Sequence, residues 1–145
     1  MSPGVELEPL RGLAGRWSGT ARISWPGRDP FELTHTESVH VIGDRSLVTI
    51  EGNSYRDGGT VPVFTAFAVA YNGPNGVYWQ AFRAGDSLQV PLDLGPGYYG
   101  WTAPDEVGSV DYRAEFDDHE WTERGTMIVD GIPLEVFAMT LSRSS

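Results

Sequence analysis

Trp17-Ser18-Gly19-Thr20-Ala21-Arg22-Ile23-Ser24-Trp25, closed off by Pro26-Gly27, is the stretch that decides the fold. Its odd positions are apolar or small and its even positions are polar. That is the period of two a β-strand imposes on side chains that face alternately in and out. Pro26-Gly27 then ends the run. Downstream the same rhythm returns at residues 31–42, 46–55, 61–71, 77–83, 87–94, 98–103, 109–116, 120–129 and 133–142. The intervals carry Gly43-Asp44, Asp57-Gly58-Gly59, Gly73-Pro74-Asn75-Gly76, Gly85-Asp86, Gly95-Pro96-Gly97, Asp117-Asp118 and Asp130-Gly131, each a hairpin signal. Upstream, Val5, Leu7, Leu10 and Leu13 are spaced by two and three and give one short helix with an apolar face.

So many strands joined by hairpin-sized gaps predict a closed sheet, because closure removes the exposed edges. A sandwich would need longer crossovers. The expected fold is all-β: a single antiparallel up-and-down β-barrel of about 8–10 strands with a short N-terminal helix. Residues 1–145 form one domain, with no linker or repeat.

A formal charge of -10 repels phosphate backbones and anionic membrane surfaces, so neither nucleic acid nor membrane is an expected partner. All ten basic residues are arginine, which removes lysine Schiff-base chemistry. The absence of cysteine excludes disulfides and thiolate chemistry and agrees with a cytoplasmic location. No basic segment leads into an apolar one at Met1 to Arg16, and no apolar run approaches the roughly 18 residues of a membrane-spanning helix.

The Gly15-Arg16-Trp17 opening, inside Leu13 to Gly19, resembles that of the calycins, the lipocalins and fatty-acid-binding proteins among them. The stretch from Trp121-Thr122-Glu123-Arg124-Gly125 through Asp130-Gly131 to Met139-Thr140-Leu141-Ser142-Arg143 is similar to the C-terminal hairpin of an uncharacterised bacterial lipocalin-like family. This resemblance implies a barrel around an inner cavity and a structural pair, Trp17 packed against Arg143 at one closed end. The haem-binding nitrobindin barrels share the opening and carry an axial histidine near the chain end. The last histidine here is His119, beside the Asp117-Asp118 turn, so no cofactor is expected.

Strand parity sorts the candidate site residues, since only every second position faces inward. His35 and Glu37 share a face with Phe31, Leu33, Val39 and Val41, and are the candidate catalytic acid–base pair. His40 has the opposite parity and His119 sits in a turn, so no metal site is expected. Aromatic residues on most strands suit a planar apolar ligand, and Trp79, Tyr98, Tyr99 and Trp101 are candidate ligand contacts. Ala68 and Ala70 leave room for that ligand, and Arg83 or Gln80 offers a polar anchor. Glu123 and Glu51 are further acceptors, although strand glutamates mostly face water. The glycines and aromatics of Leu94 to Trp101 suit either a gate over the mouth or an ordinary hairpin.

These features predict binding of a small apolar or aromatic metabolite inside the barrel, with a cofactor-free isomerase or cyclase as the alternative. A homodimer is left open.

Overall fold

The computed structural model describes residues 7–43, 47–83, 85–105 and 108–144. Eleven strands form one antiparallel sheet: β1 (Gly15–Ile23), β2 (Phe31–Ile42), β3 (Leu47–Tyr55), β4 (Phe64–Gly73), β5 (Gly76–Arg83), β6 (Asp86–Pro91), β7 (Asp93–Gly95), β8 (Tyr98–Asp105), β9 (Gly108–Phe116), β10 (Glu120–Val129) and β11 (Ile132–Arg143). Except at β6 and β7, neighbours in sequence are neighbours in the sheet, and β1 also pairs with β11, which draws the two ends of the chain together. The barrel is nearly closed. The seam without pairing lies between β6 and β7, where the chain turns a corner at buried Leu92. The Leu92 N–H donates to the Val77 carbonyl at 2.9 Å, so the expected strand over 87–94 becomes two.

Side-chain alternation accounts for what is inside. In β1, Trp17 and Ala21 are buried while Ser18, Thr20 and Arg22 are exposed. Gly19 lies so close to the β11 backbone that a Cβ there would run into the Thr140 carbonyl. The strand ends at Ile23; Trp25 lies beyond it and packs on a second cluster of Val110, Met127 and Val136. That cluster includes the bulged residue of β11: Gly125 and Thr126 of β10 pair with Phe137 and Glu135, so Val136 is the extra residue where the register shifts.

One end of the barrel is stoppered. A 3-10 helix at Glu8–Leu13 has Pro9 in its first turn, where a missing N–H costs no hydrogen bond, and buries Leu10 and Leu13 together with Leu7 ahead of it. Val5 is outside the described residues. Each such side chain taken from water contributes about 1.5–3 kcal/mol. Turn chemistry matches the hairpins: Asp130 (φ 51°) and Gly131 (φ 77°) form a two-residue β10–β11 loop that needs positive φ at both positions. At the β9–β10 turn, the Asp117 carboxylate accepts the backbone N–H groups of His119 and Glu120, which hold its pKa below the ordinary value.

Candidate functional site

β2 supplies one wall. Its inward residues run Phe31, Leu33, His35, Glu37, Val39, Val41, and register with β3 sets Ser54 opposite His35 and Gly52 opposite Glu37. His35 Nδ1 lies 2.6 Å from Ser54 Oγ and Nε2 lies 2.9 Å from Glu37 Oε1. The carboxylate can only accept, so Nε2–H donates to it; in the neutral imidazole, Nδ1 then accepts from the Ser54 hydroxyl. The second carboxylate oxygen, Glu37 Oε2, is buried and has no hydrogen-bond partner among the described residues. Gly52 makes room for this carboxylate: a Cβ there would stand 2.7 Å from Oε1 and 2.8 Å from Oε2.

β8, β9 and β10 supply the other wall. Tyr99, Ala114 and Glu123 form one cross-strand row, with the small Ala114 between the two longer side chains. The Tyr99 hydroxyl donates to Glu123 Oε1 at 2.5 Å across it. Burial is the main influence on Glu123 and raises its pKa to about 7; the Tyr99 hydrogen bond and the charge of His35 pull it down, and the negative charge of Glu37 pushes it up. Tyr99 is likewise held well above its ordinary value, first by burial and then by the Glu123 and Glu37 charges. The Trp121 indole pulls Tyr99 the other way, although its N–H completes no hydrogen bond. The two walls therefore act on each other electrostatically across the interior.

Indole and phenol rings enclose this polar group. Trp79 on β5 stacks on Tyr99 with centroids 5.7 Å apart and lies 5.8 Å from Trp101, which bridges the unpaired seam from inside. Trp101 stacks on Tyr112 at 4.5 Å, and Trp121 meets Trp17 edge to face at 5.7 Å. The indole nitrogens of Trp79, Trp101 and Trp121 are buried and, like Glu37 Oε2, have no hydrogen-bond partner among the described residues. Small residues flank the polar group in register: Gly19 beside His35, Ala21 beside Leu33, Ala66 beside Gly52, and Ala81 beside Ala68. Where β2 and β4 begin, Phe31, Leu33, Val63 and Phe64 line a cleft of about 500 Å³ with Glu32, Arg56 and Asp57 at its edge. Leu33 belongs both to this cleft and to the row that continues to His35.

The sequence candidates divide accordingly. His35 and Glu37 are brought together, and Trp79, Tyr99, Trp101, Ala68 and Ala70 face inward; fully buried Ala70 is the cross-strand neighbour of Trp79. Tyr98 is on the outside. It alternates with Tyr99, is 41% exposed, and lies over Gly95, whose Cβ would meet its ring. Gln80 shares that outer parity, alternating with buried Trp79, and the Arg83 side chain lies outside the described part of the structure. Glu51 is exposed and accepts from Asn53. Leu94 to Trp101 forms a tight hairpin fastened by the Phe116 N–H to the Gly97 carbonyl at 2.9 Å, rather than a loose gate. Ser54 and Gly52 were not legible as site residues, and Glu123 reads in the sequence as one of many solvated acids. Among the described residues, no three acidic or histidine side chains are grouped to hold a metal ion, and no helix is long and apolar enough to cross a membrane.

Architecture and site together define a nearly closed antiparallel β-barrel with a polar group inside it. Among solved structures, the chain is similar to that of Rv2717c from M. tuberculosis, with a TM-score of 0.75 and 17% identity over 99% of this chain and 100% of that one. At that identity the likeness concerns the fold. No protein-family model matches the chain, and no curated protein matches it.

Proposed function

We propose that the barrel interior binds a small, largely apolar or aromatic molecule that carries at least one hydrogen-bond acceptor and one donor. The observation that carries this reading is the set of unpartnered polar atoms in one aromatic-walled interior: three indole N–H groups and Glu37 Oε2. A buried polar atom without a partner costs about 1–3 kcal/mol, so an interior holding four of them is stabilised by a guest that satisfies them. An acceptor oxygen suits the indoles and a hydroxyl or N–H suits Glu37. Rings in the guest suit Trp79, Tyr99 and Trp101. The apolar cleft at Phe31, Leu33 and Phe64 lies at the end opposite the helical stopper and shares Leu33 with the row that continues to His35. The terminal motifs support placing the chain with the bacterial lipocalin-like barrels.

Native mass spectrometry of the purified protein after incubation with a metabolite extract tests the reading. One adduct of defined mass per chain is expected. Protein that emerges bare from every extract, while still folded, would remove the support for an interior ligand. A second reading, a cofactor-free isomerase or cyclase, is favoured by the facing of the His35–Glu37 pair and Glu123.

A further inference from the structure

We infer that the interior enolises a carbonyl compound: Glu37 removes a proton from the carbon next to the carbonyl, and the Tyr99–Glu123 pair on the facing wall holds the oxygen as it gains charge. This rests on the binding reading above and adds the chemical class of the guest and the step performed on it.

The Glu37 carboxylate is set up as an oriented base. One oxygen is held by His35 Nε2 at 2.9 Å, and His35 is itself held by Ser54 at 2.6 Å, so the imidazole cannot swing away. Those two act as positioning residues. Gly52 backs the carboxylate so closely that it cannot retreat toward β3. The other oxygen, Oε2, is buried and takes no donor among the described residues, which leaves it available to accept a proton.

Opposite it stands an acid. Tyr99 donates to one Glu123 oxygen, which leaves the other free to carry the carboxylic proton. Burial, with the negative charge of Glu37, keeps that proton on a sizeable fraction of Glu123 at neutral pH. A carboxylic acid kept neutral in this way donates a hydrogen bond to a developing enolate oxygen, and a low-dielectric aromatic wall strengthens the contact. The titratable groups around Glu123 are Tyr99 from β8 and, across the interior, Glu37 and His35 from β2.

The step balances without a co-reactant. The C–H electron pair becomes the C=C bond of the enol, the carbonyl π pair moves to oxygen, and the proton passes to Glu37. Glu123 gives its proton, or a hydrogen bond, to the oxygen. Replacement of that proton on Glu37 by a solvent deuteron, followed by its delivery to the same carbon, gives exchange, and delivery to a conjugated carbon gives an isomer. Nothing is oxidised or reduced.

The test uses 2-tetralone as ketone and 2-naphthol as a planar stand-in for its enol. Proton NMR in D2O reads loss of the C1 protons of 2-tetralone; quenching of tryptophan emission reads binding of both. The expected result is saturable binding of each compound and exchange well above the buffer rate. Glu37→Gln should lower the exchange by about 10²–10⁴-fold, exceeding any loss of 2-naphthol affinity at least about tenfold. Tyr99→Phe should weaken 2-naphthol binding, because Glu123 loses the hydroxyl that orders it. Should Glu37→Gln fail to fold, Glu37→Asp withdraws the carboxylate by one methylene and should show the same split. Bound 2-tetralone that exchanges only at the buffer rate, or exchange indifferent to Glu37→Gln, would overturn enolisation and leave the binding reading standing. If neither compound binds, both readings fall.

Discussion

The guanidinium carbon of Arg143 lies 4.2 Å from the centroid of the Trp17 ring, so the last strand is clasped to the first at the stoppered end of the barrel. The two residues are register partners across β1 and β11. Arg143 also donates to the carbonyls of Ala14 (2.7 Å), Gly12 (2.6 Å) and Asp118 (3.0 Å), which ties the helix and the β9–β10 turn to the same side chain. Trp17 is buried beneath it, with its indole N–H on the Leu13 carbonyl at 2.9 Å. Trp17→Ala should therefore cost about 3–5 kcal/mol in a urea titration. Arg143→Lys keeps the charge but loses the planar fork, and should cost about 1–2 kcal/mol. A Trp17→Ala protein as stable as the parent would mean that this end does not close the barrel.

Glu123 should make stability depend on pH with a definite sign. Its pKa in the folded chain is about 7 against an ordinary 4.5, so between those values the folded state binds more protons than the unfolded one. Stability from this group is greatest below about pH 4.5, declines as pH rises to about 7, and is flat above. Twenty acidic residues titrate, so the contribution is read as the difference between parent and Glu123→Gln. That difference should fall by on the order of 3 kcal/mol across the window. A difference curve with no slope there would show that the carboxyl is not held in a dry interior.

Gly52→Ala should act on Glu37 from behind. The new methyl would have to share space with both carboxylate oxygens, so the carboxylate must move and the bond from His35 lengthens. Overpacking of this kind costs about 1–3 kcal/mol. The specific signature is in the imidazole: nitrogen NMR shifts of His35 should change in Gly52→Ala while those of exposed His40 and His119 stay put.

How far the sequence carries is visible in these same residues. Period-two alternation made β1 legible from Trp17 to Ala21, and the spacing of two put His35 and Glu37 on one face whatever their neighbours were. The eleventh strand was not legible, because Val90-Pro91-Leu92 reads as one apolar run and the corner exists only through the Leu92 bond to Val77. Ser54 and Gly52 join the site through the β2–β3 register, which no local pattern encodes. The one available signal is that Val48, Ile50, Gly52 and Ser54 turn from large to small and polar along a single face. Tyr99 and Glu123 meet across a three-strand row, a relation further still from local sequence, and of adjacent Tyr98 and Tyr99 parity alone does not say which is inside.

Haem should not form a tight complex. Both nitrogens of His35 are engaged, by Ser54 and Glu37, while His40 is on the outer face and His119 follows an exposed turn. An absorbance titration should show no sharp stoichiometric Soret shift. A tight one-to-one complex that disappears in His35→Ala would show that the Ser54–His35–Glu37 chain opens readily.

Ala68 offers the most direct probe of the interior. It faces inward, between Ile50 on β3 and Ala81 on β5, and Glu37 lies in the adjacent row with Gly52 and Ala66. The parent should take up a neutral fluorophore such as N-phenyl-1-naphthylamine at one site per chain, quench its tryptophans, and melt at a higher temperature as ligand is added. Ala68→Trp puts an indole into the space flanking Glu37 and should abolish that uptake. Phe67 has the opposite parity and packs on Phe82, at 6.3 Å, on the outer surface, so Phe67→Ala should leave uptake within about threefold of the parent while losing some stability. Far-ultraviolet circular dichroism must show the barrel intact in both variants for the comparison to count. Uptake that persists unchanged in folded Ala68→Trp would put the fluorophore on the exterior, where Phe82 and Phe64 are exposed, and the interior site would lose its support.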